Sequence, residues 1–356
     1  MGGMNYTAVE STKMATAEIY GKTLVELGEK DKRVVALTAD LAKSTKIGDF
    51  MGKFPDRFFN VGIAEQNLFG IAAGMAKAGL IPFASTFSVF ASLRATDQVH
   101  TDICYQNANV KIIGTHGGTS FGQAGSTHHA IEDLAVVRSL VNMKVIVPAD
   151  GYETANAVRA AYAMQGPVYI RINRGFDQTV YTSEDYGFEF GKGIQMTDGN
   201  DITIIANGSC VFQAVQASRI LEHDYNVHAR VINMHTLKPL DRDIILKAVN
   251  ETRRIITVED HTVIGGLGSA VAEVVVEEGK ACAFKKLGLQ DTFSAIGFHE
   301  DLLSINKIDS VAIVDEAIRM MKSAKIVQVD ANGVQMNALK TDERTFEVDI
   351  DWTDEV

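Results

Sequence analysis

Short apolar runs rich in Val and Ile alternate along this chain with stretches of helical period, and no other feature narrows the choice of fold as much. Strands buried on both faces read as near-continuous apolar runs. When each is followed by an amphipathic stretch, the pattern is that of a parallel sheet covered by crossover helices. Residues 34–37, 59–63, 81–85, 110–115, 145–148 and 168–172 are read as strands, and 16–29, 66–77, 88–106 and 152–163 as helices. Together they make one doubly wound α/β domain. The pattern then lapses into "RGFDQTVYTSEDYGFEFGKGIQMTDGN", whose Gly and polar residues read as a linker with room for a hairpin. It resumes with the strands "DITIIANGS", "VHARVINM" and "RRIITVED" and helices near 212–222, 269–278 and 310–322, a second and smaller α/β domain. The expected organisation is a leader at 1–10, a domain at 11–180, a linker at 181–200, a domain at 201–322 and a tail at 323–356. That tail carries eight acids against Lys325, Lys340 and Arg344.

Composition excludes several functions. A chain of 356 residues with 46% hydrophobic and 22% charged residues can bury two cores. Its net charge of −11 argues against a nucleic-acid binder, whose affinity rests on clustered Lys and Arg. Cys104, Cys210 and Cys282 are odd in number and far apart, so neither a disulfide framework nor a zinc knuckle is expected, and a reducing cytoplasm fits. The opening "MGGMNYTAVESTK" lacks the order of a signal peptide, and no run is long and apolar enough to span a membrane.

The chemistry-bearing residues cluster just after the expected strands, where open α/β sheets place their ligands. "GIAEQN" puts Glu65 between a strand and a helix, "STFSVF" carries Phe87 and Phe90, and "THGGTSFGQAGSTHH" carries His116, His128 and His129. Each has an ordinary use as well: a carboxylate at a helix start caps it, a Phe fills a core, a His packs or faces solvent.

Taken in order, "TADLAKST", "FFNVGIAEQN", "PFASTFSVFA", "IGTHGG", "STHHAIEDLA", "VIVPAD" and "VYIRINRG" resemble the pyrimidine-binding and C-terminal halves of transketolases and the related deoxyxylulose-phosphate synthases. The resemblance covers residues 11–322. It implies a thiamine-diphosphate-binding pyrimidine domain followed by a transketolase C-terminal-like domain, and transfer of a two-carbon ketol unit from a ketose to an aldose. It further implies that Glu65 meets N1′ of the cofactor's aminopyrimidine, favouring the tautomer that takes the thiazolium C2 proton. Phe87 and Phe90 then flank the pyrimidine ring, Asp40 lies near the cofactor, and Ser44 near the substrate phosphate. His116 and His128 line the substrate channel, where an imidazole can bond sugar oxygens and shuttle protons. Arg174 holds the substrate phosphate with its guanidinium fork, Arg171 assists it, and Lys13 matches another phosphate-binding base. His129 has no such counterpart and reads as structural.

Two departures stand out. Ala124 takes the place of an acid that reads a sugar hydroxyl, leaving Gln123 as the neighbouring acceptor, so the sugar pair stays open. The G-D-G and later Asn that hold Mg2+ and the diphosphate are not matched. The resemblance therefore implies an N-terminal transketolase subunit as partner, in an α2β2 assembly with metal and diphosphate held by that partner. Other readings of the same residues are the β subunit of a 2-oxoacid dehydrogenase, a deoxyxylulose-phosphate-synthase-like enzyme, and a non-catalytic assembly subunit.

Overall fold

The computed structural model describes residues 12–323 and the short strands Gln328–Val329 and Gln335–Met336, which pair antiparallel. The leader and the rest of the acidic tail lie outside the described residues. In chain order the strands of the first half are β1 (Lys13–Ala15), β2 (Val34–Thr38), β3 (Phe58–Asn60), β4 (Ile81–Phe87), β5 (Lys111–Thr115), β6 (Lys144–Ile146), β7 (Val168–Arg171) and β8 (Phe176–Gln178). Those of the second half are β9 (Ile194–Thr197), β10 (Ile202–Ala206), β11 (Ala229–Asn233), β12 (Thr236–Lys238), β13 (Arg254–Thr262) and β14 (Ala283–Leu289).

A seven-stranded sheet runs β12-β6-β7-β5-β4-β2-β3, parallel throughout except for β12. Strands β2, β4, β5 and β7 are buried along their whole length, as their apolar runs require. The second sheet runs β14-β13-β10-β11-β9, parallel apart from β9. One continuous core joins the halves: Leu37, Leu68 and Val145 pack in the same cluster as Ile232, Leu237, Ile245 and Leu267.

Three expectations need correction. The stretch 174–200 forms no hairpin, because β8 pairs with β1 and β9 closes the edge of the second sheet. Its polar, Gly-flanked residues hide a strand that has few side chains to bury. Next, β12 belongs by sequence to the second half but pairs with β6 of the first sheet; with only three residues before Pro239 it carries no periodic signal. Last, the helix expected at 88–106 is broken into wide π turns at Phe90–Arg94 and Val99–Cys104 around a short α turn, Thr96–Gln98. Ser92 Oγ donates to the Ser88 carbonyl at 2.8 Å, Thr96 Oγ1 to that of Ser92, and Thr101 Oγ1 to that of Asp97 at 2.7 Å. These hydroxyls take the carbonyls that helical N–H groups use, and so loosen the winding. Among the described residues no helix is long and apolar enough to cross a membrane.

Candidate active site

The candidate residues follow the carboxyl ends of neighbouring parallel strands. Glu65 opens the helix Glu65–Lys77 that follows β3, and its side chain is only 4% exposed. The carboxylate is loosely held: Thr86 Oγ1 on β4 donates at 3.4 Å, and Arg94 Nη1 reaches both oxygens at 3.3 and 3.4 Å. Arg94 is half-exposed and was not singled out by the sequence reading. Asp40, after β2, sits at a left-handed φ of 61° that costs a non-glycine residue free energy. Asn60 holds it there, accepting the Asp40 and Gly62 N–H groups at 2.9 and 3.1 Å and donating to Asp40 Oδ1 at 2.9 Å. One amide thus ties the Asp40 turn to the loop that delivers Glu65.

Beside this carboxylate lies an aromatic and imidazole cluster. The Phe87 ring is 4.0 Å from that of His116 and 5.4 Å from that of Phe90, nearly stacked on the latter at 30°. Phe121 packs edge-on against Phe87, His116 and His128, and His128 edge-on against Phe90 at 5.5 Å. Leu41, from the Asp40 loop, packs into the same cluster. Phe87 and Phe90 do not flank a third ring. A ring between them needs about 7 Å, twice the contact spacing of carbon atoms, and their centroids are closer than that.

His116, also left-handed at φ 61°, is 4% exposed, with Nδ1 2.9 Å from Thr115 Oγ1. Burial pushes its imidazole down to about 3, and the charge of Arg174 and the neighbouring His128 push the same way. At neutral pH it is an uncharged hydrogen-bonding group rather than a cation. The Arg174 guanidinium lies 4.9 Å over Phe121, is exposed and makes no ion pair among the described residues.

The loop that carries Phe121, Gln123, Ala124 and His128 is pinched shut by Gly118 and Ala130, which exchange backbone hydrogen bonds at 3.1 and 3.0 Å. Its base is held by the second half of the chain, where Asp260 on β13 accepts from the Thr119 N–H at 2.8 Å and its hydroxyl at 3.0 Å. Gly118 has φ +56°, and a Cβ there would lie 2.1 Å from Asp260 Oδ2, so only glycine fits. Ala124 is half-buried and Gln123 exposed within this loop.

Other expected site residues lie elsewhere. Arg171 is buried, donating to Asp133 Oδ2 at 3.1 Å and to the carbonyls of Ala130 and Asp260 at 2.7 and 2.8 Å. A guanidinium spent in this way cannot assist a phosphate. Lys13 pairs with Glu300 at 2.7 Å across the two halves and lines a separate cavity of about 410 Å³ with Gln213 and His299. Ser44 is exposed in the turn after Leu41. His129 is 2% exposed behind the loop. Among the described residues no cluster of three or more His, Cys, Asp or Glu is placed to hold a metal ion. Sequence reasoning missed Arg94, Phe121, Asn60 and Asp260. Only Phe121 left a signal, an aromatic residue in a Gly-rich loop between two histidines.

The site thus gathers a buried carboxylate, a cluster of aromatic rings with two imidazoles, and an exposed guanidinium. The chain belongs to the transketolase family: residues 12–176 match "Transketolase, pyrimidine binding domain" and residues 191–313 match "Transketolase, C-terminal domain". Membership carries dependence on thiamine diphosphate. A candidate transketolase C-terminal section of Methanocaldococcus jannaschii is 43% identical over 304 residues, 85% of this chain and 95% of that protein. An apulose-4-phosphate transketolase subunit of Phocaeicola vulgatus is 37% identical over 87% of this chain and 98% of its own length. A solved split-gene transketolase, an inactive β4 tetramer, superposes with a TM-score of 0.78 at 45% identity, covering 86% of this chain and 98% of that one.

Proposed function

We propose that this chain is the pyrimidine-binding and C-terminal subunit of a two-chain, thiamine-diphosphate-dependent transketolase that moves a two-carbon ketol unit from an anionic ketose to an aldose. The observation that carries the reading is the placement of buried Glu65 beside the Phe90, His116, His128 and Arg174 cleft. The N-terminal partner supplies the diphosphate half and the Mg2+ site in an α2β2 complex. Two relatives covered almost end to end are themselves a transketolase C-terminal section and a single transketolase subunit, which supports the division of labour. Cytoplasmic residence is part of the same reading, supported by three cysteines that are all free.

The residues present fit the cofactor's pyrimidine: a carboxylate with weak partners, an aromatic face at Phe90, and Asp40 at the rim. When bound, thiamine diphosphate supplies a carbon nucleophile that carries the two-carbon unit. Glu65 holds a proton or strong hydrogen bond at N1′ of the aminopyrimidine. His116 and His128 bond the sugar's C1 and C2 oxygens and move protons between them. Arg174 receives the substrate's anionic end at the mouth, and Phe121 holds the guanidinium above the cleft. Ser44, exposed after Leu41, and Lys13, exposed beside Glu300, complete the phosphate-binding part of the reading.

The test is reconstitution with an N-terminal transketolase subunit and a panel of ketose donors. Ketol transfer by the complex is the expected result. Glu65→Gln should lower turnover at least 100-fold, within the range of about 10²–10⁴ for a lost proton-transfer group. It should also slow deuterium exchange at the cofactor's C2 while the complex still assembles. Unchanged exchange in Glu65→Gln would remove Glu65 from the mechanism.

A further inference from the structure

Arg94 bridges the two groups that the cofactor ring needs. Its guanidinium carbon stands 3.6 Å above the centroid of Phe90, and Nη1 lies 3.3 Å from Glu65 Oε2. An aminopyrimidine that stacks on Phe90 and touches Glu65 requires the same face and the same carboxylate. Guanidinium and aminopyrimidine are alike in the relevant respects, since both are flat, both stack on aromatic rings, and both present N–H donors to a carboxylate. The gap between Phe87 and Phe90 is too narrow for a ring, so it offers no second seat. We propose that Arg94 is a displaceable plug: its side chain occupies the pyrimidine seat in this chain and swings out when the cofactor loads.

The local structure suits such a motion. Arg94 ends the π turn Phe90–Arg94, a winding that recurs at functional sites, and Ala95 beyond it leaves helical geometry at φ −123°. The side chain is 49% exposed, so a solvated position lies next to the seat, whereas Glu65 is only 4% exposed and stays. The contacts that hold the plug are modest, a half-exposed ion pair and a cation–π contact. The plug therefore delays and weakens loading without preventing it. It also keeps the buried carboxylate paired until the ring arrives.

This inference rests on the cofactor seat proposed above, and the experiment separates the two. Thiamine diphosphate with Mg2+ is titrated calorimetrically into the reconstituted complex carrying wild-type chain, Arg94→Ala, Arg94→Lys or Glu65→Gln, with stopped-flow association rates alongside. Arg94→Ala should bind about fivefold tighter and associate faster, because no ion pair has to be broken first. Arg94→Lys should fall between the two, since an ammonium pairs with Glu65 but does not lie flat on Phe90. Equal or weaker binding by Arg94→Ala, with its melting temperature unchanged, overturns the plug and leaves the seat standing if Glu65→Gln weakens binding. No cofactor binding by either the wild type or Arg94→Ala overturns both the seat and the plug.

Discussion

Arg174 differs from the other basic residues of the site in being exposed, unpaired among the described residues, and steered by an aromatic ring beneath it. Its neighbour Arg171 carries the same charge but is locked to Asp133 and two carbonyls, although both side chains come from one strand end. Residue type does not tell these arginines apart; partners do. A remote anion clamp contributes mostly uniform binding, so Arg174→Ala should raise KM for phosphorylated ketoses more than it lowers kcat. A hydrogen bond to a charged group contributes about 1.5–3 kcal/mol. Steady-state kinetics on phosphorylated and unphosphorylated donors checks this, and equal effects on both would show that the clamp lies elsewhere. The same scale explains the behaviour expected of His116. With its imidazole pushed down to about 3, the ring does not gain charge at any pH used for assay, so the activity profile near neutrality should not bear its titration.

The loop from Gly117 to Ala130 works as an element because its ends bond to each other and its base bonds to another part of the chain. Gly118→Ala forces a left-handed alanine and places its Cβ against Asp260, which together should cost about 2–3 kcal/mol. The expected outcome is a lower urea midpoint together with a raised KM, as His128 and Phe121 lose their register. An unchanged midpoint would mean that the loop does not depend on Asp260. Sequence reading captured this element's histidines from "THGGTSFGQAGSTHH" but not its anchor, because Asp260 is distant in the chain and speaks only through a tertiary contact. The long buried strands β2, β4, β5 and β7 were legible, since continuous apolar runs leave few alternatives. The π turns at Phe90–Arg94 and Val99–Cys104 were not, because the apolar spacing there suits a regular helix and the disturbance comes from three hydroxyls bonding backward. That irregularity is also what positions Arg94, so a cation that the sequence did not single out follows from a helix read as regular.

At the scale of the molecule, the two halves meet over buried acids. Asp150 caps the helix Gly151–Ala163 and accepts from the N–H groups of Glu153, Val180 and Tyr181. Glu153 accepts from Ala149, from Tyr186 and from Asn233 of β11 in the second half. Burial raises Glu153 to about 7 and Asp150 to about 6, with these hydrogen bonds opposing the rise. Both folded values exceed the unfolded ones, so the neutral acids contribute stability that is full at low pH and is lost as pH climbs through the folded values. Between about pH 5 and pH 8 the wild-type chain should lose about 2 kcal/mol more than Glu153→Gln, read as the difference of their urea midpoints across that range. Parallel curves would show that Glu153 does not titrate in this window. The seam has one more strand to it. Because β12 reaches back from the second half to pair with β6, the first sheet is finished by a strand that starts only two residues after β11 ends. Met234, His235 and Leu237 are all buried around it, so the two halves cannot part without stripping β6 of its edge partner and wetting the core that both share.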